Sequence, residues 1–108
     1  MKYLRLKKNS DFQKVFRRGK KVFSPYITLL YYPSNETTFG IAISKKYGKA
    51  VKRNRIKRLI RASFLKSLPE LNGAYTIVAL PKISEEYTFE NFEKGIKSCF
   101  GRMNQCQK

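Results

Sequence analysis

The chain has 108 residues, 42% of them hydrophobic, and a net charge of +17 from 24 basic and seven acidic residues. This length predicts a single domain over residues 1–108, and the apolar content excludes a disordered polybasic tail. Because so much like charge costs self-repulsion, the composition predicts a polyanionic partner, either nucleic acid or an anionic membrane surface.

The chain opens with a predicted arm and a short helix. Residues 1–9 are basic and lack apolar periodicity, which is typical of an extended arm. Ser10 begins a capping-box spacing, and Phe12 and Phe16 share one face of a helix predicted over about residues 10–18.

Three strands are predicted next, because β-branched and aromatic residues alternate with turn residues. Their ranges are about 20–24, 26–32 and 39–45. In the third strand, Gly40, Ala42 and Ser44 share one face. This face is unusually small, so we expect a bulky side chain to pack close to it.

The following segment predicts a helix with two distinct faces. At 100° per residue, Ile56, Leu59, Ile60 and Phe64 form an apolar stripe along a helix over about residues 51–68. The opposite face carries one amide and four cations: Asn54, Arg55, Lys57, Arg58 and Arg61. Opposite charges at i,i+4 stabilise an exposed helix by about 0.3 kcal/mol, yet no acidic residue occurs in this segment. A helix face on which like charges repel each other, with no acidic residue to offset them, is typical of a binding surface. The planar guanidinium group of arginine can bind phosphate through two hydrogen bonds.

A buried strand and an apolar helix complete the chain. The run AYTIVALP predicts a strand over about residues 74–81, and apolar residues at helical spacing from Phe89 to Met103 predict a final helix. The order α-β-β-β-α-β-α predicts an α+β fold, a two-layer sandwich with a four-stranded sheet.

The two cysteines, Cys99 and Cys106, lie near the C-terminus. On a helix they would be two turns apart, which is too far for a comfortable disulfide. Zinc-site spacing, a signal-peptide run and a membrane span are all absent from the sequence. These features predict a reduced, cytoplasmic protein.

Residue content leaves several functions open. A membrane-binding helix would expose its apolar side, whereas so short a chain needs that side for its core. A protein nuclease would need histidine or clustered carboxylates, but the chain has no histidine and its acidic residues form no motif. A structural RNA-binding module, such as a ribosomal protein, fits the composition as well as an enzyme subunit does.

The segment SKKYGKAVKRNRIKRLIRASF, centred on Arg53-Asn54-Arg55, resembles the signature of the bacterial ribonuclease P protein component. The runs LKKNSDFQKVFRRGK, GIAISKK and YTIVALP resemble the first helix, third strand and fourth strand of that family. The resemblance implies the same order of elements, with a left-handed βαβ crossover.

The resemblance also implies a function. The protein would be the non-catalytic subunit of ribonuclease P, in which a catalytic RNA cleaves the 5′ leader from precursor tRNA. Divalent magnesium would be bound mainly by the RNA, and none tightly by the protein. The implied partners are the catalytic RNA and the leader, with no membrane and with a protein that is monomeric apart from the RNA.

Two binding surfaces follow from the resemblance, and neither includes a catalytic residue or metal ligand. On the surface for the catalytic RNA, the residues that match the motif are Lys52, Arg53, Asn54, Arg55, Lys57, Arg58 and Arg61. Lys45 and Lys46 are added because they end the third predicted strand where the chain enters the helix. The cleft for the leader, between the first helix and the sheet, takes Phe12 and Phe16 from the resemblance. Tyr26 and Thr28 are added because alternation places them on one face of the second predicted strand. By spacing alone, Phe12 and Phe16 fit a core stripe as well as a cleft wall, and Lys45 and Lys46 fit a charged strand end.

Overall fold

The computed structural model describes residues 3–6, 8–83 and 87–105, and within these ranges it contains five β-strands and three α-helices. The strands are β1 Leu4–Arg5, β2 Lys20–Phe23, β3 Ile27–Pro33, β4 Thr38–Ile41 and β5 Tyr75–Pro81. The helices are α1 Asn9–Arg18, α2 Ala50–Ser67 and α3 Phe89–Gln105. The predicted α+β class is confirmed.

The strands form one mixed sheet in the order β1-β4-β5-β3-β2. The predicted four-stranded sheet is wrong, because part of the predicted arm forms a fifth strand. Leu4 pairs with Thr38 and Arg5 with Phe39 in parallel register, and Leu6 N donates a hydrogen bond to Phe39 O at 2.9 Å. A strand of two residues has no alternation to read, so only its pairing with the edge of β4 reveals it.

Helices cover both faces of the sheet, so the predicted two-layer sandwich is also wrong. On one face, α2 and α3 enclose the main core. On the other face, Val15 of α1 packs with Leu30 and Val78 in a second cluster. Amphipathic spacing identifies the buried side of a helix, but it does not specify which face of the sheet that side covers.

The α2 helix docks through its predicted stripe. Ile56, Ile60 and Phe64 are buried, and Leu59 is partly buried. The Phe64 ring stacks on Phe39, with ring centroids 3.8 Å apart and an interplanar angle of 11°. Each such buried side chain contributes roughly 1.5–3 kcal/mol of apolar burial. The stripe is therefore confirmed, and it fixes the direction in which the basic face points.

The link between β4 and α2 differs from the predicted strand over 39–45. β4 ends at Ile41, and Lys45–Tyr47 forms a turn of 3₁₀ helix. Gly48 then adopts φ = 119°, a conformation that side chains rarely allow, and the chain enters α2. Lys45 and Lys46 therefore lie on a turn at the entrance to α2, not at the end of a strand.

β4 and β5 are parallel neighbours connected through α2, as the resemblance implies. The left hand of this crossover stays a prediction. Among the helices of the described ranges, none is both long and apolar enough to cross a membrane.

Cys99 lies in the main core, on the inner side of α3. Its Sγ is 3.7 Å from Val22 O, and burial raises the pKa of its thiol. Cys106, together with Glu85 and Glu86, lies outside the described residues.

Candidate nucleic-acid interface

The residues predicted to bind RNA lie on α2 and on the turn that enters it. Those exposed to solvent are Lys45, Lys46, Lys52, Asn54, Arg55 and Arg58. Those partly buried are Arg53, Lys57 and Arg61. The set occupies the 3₁₀ turn Lys45–Tyr47 and the N-terminal part of α2, and we call it the basic face.

The basic face lacks internal charge compensation. In the described part of the chain, Nζ of Lys66 lies 3.1 Å from Oε2 of Glu93, and Nζ of Lys97 lies 3.4 Å from Oε2 of Glu70. These residues lie at the C-terminal end of α2, in the turn that follows it or on α3. Among the described residues, no basic side chain from Lys45 to Arg61 forms a salt bridge. The face therefore keeps its positive field available for an anion.

A cavity of about 250 Å³ lies beside the basic face, and we call it the basic cavity. Arg5 of β1 lines it together with Lys57 and Arg61 of α2. Three cations around one concave space form an arrangement that suits a phosphate group. Sequence reasoning missed Arg5, because its place beside α2 depends on the pairing of β1 with β4.

A larger cavity of about 490 Å³ lies between α1 and the sheet, and we call it the aromatic cavity. Phe12 and Phe16 of α1 line one side, and Ala42 and Leu80 line the side of the sheet. Phe16 is 46% exposed and Phe12 is partly buried, whereas their neighbour Val15 is completely buried. Phe16 is therefore a wall of this cavity and not a core residue.

The small face of β4 explains how Phe12 reaches the sheet. A Cβ atom on Gly40 would lie 2.7 Å from Cζ of Phe12 and 2.9 Å from Cβ of Leu6. Only glycine permits so close an approach. The expectation of a bulky side chain against this face is confirmed, and the bulky side chain is Phe12.

Tyr47 is a cavity residue that sequence reasoning missed. Its hydroxyl donates a hydrogen bond to Pro81 O at 2.6 Å, which holds the ring at the cavity wall. Burial raises the pKa of the Tyr47 phenol, with a smaller contribution from Tyr87. Nζ of Lys46 lies 5.8 Å from the centre of the Tyr47 ring. The tyrosine's position directly after Lys45-Lys46, at the helix entrance, was the available signal.

The two cavities adjoin each other. Phe12 and Ile41 line both of them, so the aromatic cavity and the basic cavity lie on either side of these two residues. A single extended ligand could therefore contact aromatic rings in one cavity and cations in the other.

Thr28 and Tyr26 occupy different places. Thr28 pairs with Leu80 on the face of the aromatic cavity, although it is only 8% exposed. Tyr26 lies in the turn between β2 and β3, where Ser24 N donates to Ile27 O at 3.1 Å, and it lines a separate cavity of about 240 Å³. Alternation placed Tyr26 and Thr28 on the same face of a strand, but the strand begins at Ile27 and Tyr26 belongs to the turn. The structure therefore does not bring Tyr26 to the aromatic cavity.

These features define a class of protein: a small, strongly basic α+β protein with an uncompensated cationic face next to an aromatic cavity. Within the described ranges, no three His, Cys, Asp or Glu residues form a group that could hold a metal ion. The family model for ribonuclease P matches residues 1–104. The chain belongs to the ribonuclease P protein family.

Individual relatives agree with this assignment. The ribonuclease P protein component of Clostridioides difficile is 37% identical over 90% of this chain and 89% of its own length. That of Bacillus pumilus is 42% identical over 89% of this chain and 84% of its own length.

Solved structures show the same fold. The ribonuclease P protein of Staphylococcus aureus superimposes with a TM-score of 0.80 at 27% identity, over 94% of this chain and 96% of that one. The Thermotoga maritima protein also gives a TM-score of 0.80, at 26% identity, over 91% of this chain and 96% of that one.

Proposed function

We propose that this protein binds the catalytic RNA of ribonuclease P and the 5′ leader of precursor tRNA, and thereby promotes RNA-catalysed maturation of the tRNA 5′ end. The observation that carries the proposal is that the two cavities lie next to each other and share Phe12 as a wall. Cations of the basic face and aromatic rings of α1 meet there, so a double-stranded and a single-stranded part of one RNA complex can be held side by side.

The basic face is the proposed contact with the catalytic RNA. Its side chains can neutralise phosphates and release counterions, which makes binding strongly dependent on salt. The burial of Ile56, Ile60 and Phe64 fixes the backbone of α2, so the helix that carries these cations needs no reordering when RNA binds. The proposed contacts are Lys45, Lys46, Lys52, Arg53, Asn54, Arg55, Lys57, Arg58 and Arg61.

The aromatic cavity is the proposed site for the leader. Unpaired bases stack on aromatic rings with a gain of about 1–3 kcal/mol per base, whatever their sequence. Phe16 offers an exposed ring at the wall, and Lys46 lies beside the same cavity, where it can contact the backbone. Phe12, Phe16 and Thr28 are the proposed contacts, and Tyr26 stays a prediction from the resemblance.

We assign the bond-breaking chemistry and the magnesium to the RNA. The chain has no histidine, and the cationic surface next to the proposed RNA sites repels divalent cations. The role of the protein is then to position the precursor and to screen phosphate repulsion between the two RNAs.

Reconstitution tests the proposal. The protein is mixed with ribonuclease P RNA and precursor tRNA at low magnesium, and 5′ cleavage is measured with and without protein. We expect the protein to stimulate cleavage and to bind precursor more tightly than mature tRNA. Absence of stimulation would refute the proposal, and cleavage by the protein without the RNA subunit would contradict the assigned division of labour.

A further inference from the structure

The floor of the aromatic cavity continues across the sheet. Leu80 of β5 lines the cavity, Thr28 of β3 pairs with Leu80, and Phe23 of β2 pairs with Thr28. Directly paired residues of antiparallel strands point to the same face. Phe23 therefore lies in the same row as Leu80 and on the same side of the sheet as α1, about 10 Å from Leu80 across two strand spacings.

Phe23 has no evident role in packing. Its side chain is 56% exposed, the most exposed aromatic ring of the described residues, and it belongs to neither core cluster. A single exposed apolar residue needs no explanation by itself. Phe23, however, continues a row of paired residues that begins in the proposed leader site, so an RNA strand that leaves that site across the sheet meets this ring.

The backbone at Phe23 is held firmly. Nη1 of Arg102 donates a hydrogen bond to Phe23 O at 2.6 Å, which ties the end of β2 to α3. The next residue, Ser24, closes the tight turn to Ile27 through its backbone N–H and its side chain. The ring is thus presented from a fixed strand end, which limits the entropy lost when a ligand stacks on it.

The charge around the row suits a nucleic acid. Lys21 lies two residues before Phe23, on the same face of β2, and it is exposed. An exposed ring next to an exposed cation is the pattern by which single-stranded RNA is held, with stacking for the base and charge for the backbone. The net charge of +17 makes RNA the occupant that this surface favours over another apolar or basic partner.

We propose that the track for unpaired RNA extends beyond Phe16 across the sheet, and that Phe23 stacks on a further base of the same strand while Lys21 contacts its backbone. The inference rests on the proposed function of the aromatic cavity, because the strand must first occupy that cavity. It adds Phe23 and Lys21 to the proposed leader contacts. It also makes binding depend on the length of the leader, because a leader that ends within the aromatic cavity does not reach Phe23.

Leader length and ring chemistry together test this inference. Precursor tRNAs with leaders of about two and about ten nucleotides, lengths on either side of the smallest single-strand sites, are bound to the reconstituted holoenzyme. Phe23→Leu keeps the apolar bulk and removes the ring, whereas Phe23→Tyr keeps the ring. We expect Phe23→Leu to weaken binding of the long-leader precursor about fivefold or more, with no change for the short leader or mature tRNA, and Phe23→Tyr to bind as the parent does.

Two control variants separate the possible failures. Ile83→Ala removes an apolar side chain of similar exposure that lines a different cavity, and it should change neither precursor. If Phe16→Ala weakens leader binding and Phe23→Leu does not, the extension is refuted and the proposed function stands. If neither variant affects leader binding, the proposed leader site fails as well. Equal losses for Phe23→Leu with both leaders and with mature tRNA would show a structural role and would also overturn the inference.

Discussion

The salt dependence of RNA binding gives the sharpest quantitative prediction for the basic face. Arg55 and Arg58 are exposed on α2 and form no salt bridge among the described residues, so replacing both with alanine should leave the fold intact. Each phosphate contact contributes about −0.9 to the slope of log K against log salt. If both arginines contact phosphates, the double variant should therefore show a slope that is shallower by about 1.8.

The magnitude can be stated as an affinity ratio. Between 50 and 200 mM salt, one contact changes the affinity about 3.5-fold and two contacts about 12-fold. The affinity of the double variant for the catalytic RNA should thus fall about 12-fold less than that of the parent over this range. Filter binding or fluorescence titration at several salt concentrations measures both slopes.

A matched variant separates local contacts from net charge. Lys20→Ala with Lys94→Ala removes the same two positive charges from exposed positions on β2 and α3. This control should keep the parental slope, because its lysines lie outside the basic face. Equal slopes for the parent and the Arg55/Arg58 variant would refute the assignment of the basic face, as would equal flattening in both variants.

Three further predictions concern the aromatic cavity and the core. Phe16→Ala should weaken precursor binding by about 1–3 kcal/mol and leave mature tRNA unaffected, in the same titration, since it removes a stacking surface; equal losses would show that the residue acts through the fold. Gly40→Ala should lower the free energy of unfolding, measured in urea, by about 1–3 kcal/mol, because the added methyl group collides with Phe12. As a control, Gly101→Ala should stabilise the protein, because a Cβ atom there meets nothing within 4 Å. An unchanged free energy of unfolding for Gly40→Ala would contradict the close contact. Burial raises the pKa of the Cys99 thiol, so this thiol ionises at a lower pH in the unfolded chain than in the folded one. The free energy of unfolding should therefore fall as the pH rises through the alkaline range in which an exposed thiol ionises, and less steeply in Cys99→Ala.

The elements with long periodic patterns could be predicted from the sequence. The stripe of α2 has helical spacing over several turns, and its burial follows from the need of a short chain for a core. The small face of β4 correctly indicated a close neighbour, although only the structure identifies that neighbour as Phe12. Local spacing thus predicted which side chains are buried.

The features that depend on tertiary pairing could not be predicted. β1 has two residues and exists through its pairing with β4, and Arg5 reaches the basic cavity only through that pairing. Tyr26 was predicted to begin the second strand, but that strand begins at Ile27, and Tyr26 lines a separate cavity. The position of α1 on the second face also depends on the whole sheet and not on the α1 sequence.

The central claim is that the leader of precursor tRNA occupies the aromatic cavity while the basic face contacts the catalytic RNA. Site-directed crosslinking tests it most directly. Ser44 lines the aromatic cavity and is exposed, and Ser98 is exposed on α3, so Ser44→Cys and Ser98→Cys can each carry a photoreactive group in a Cys106→Ser background. Cys99 is buried and should not be labelled.

In the reconstituted holoenzyme with precursor tRNA, we expect the probe at Ser44→Cys to crosslink to leader nucleotides and the probe at Ser98→Cys to give no leader crosslink. With mature tRNA, the leader crosslink is absent by definition, and no equivalent crosslink to the tRNA body should replace it. Leader crosslinks from the Ser98 position that match or exceed those from the Ser44 position would place the leader elsewhere and would contradict the account.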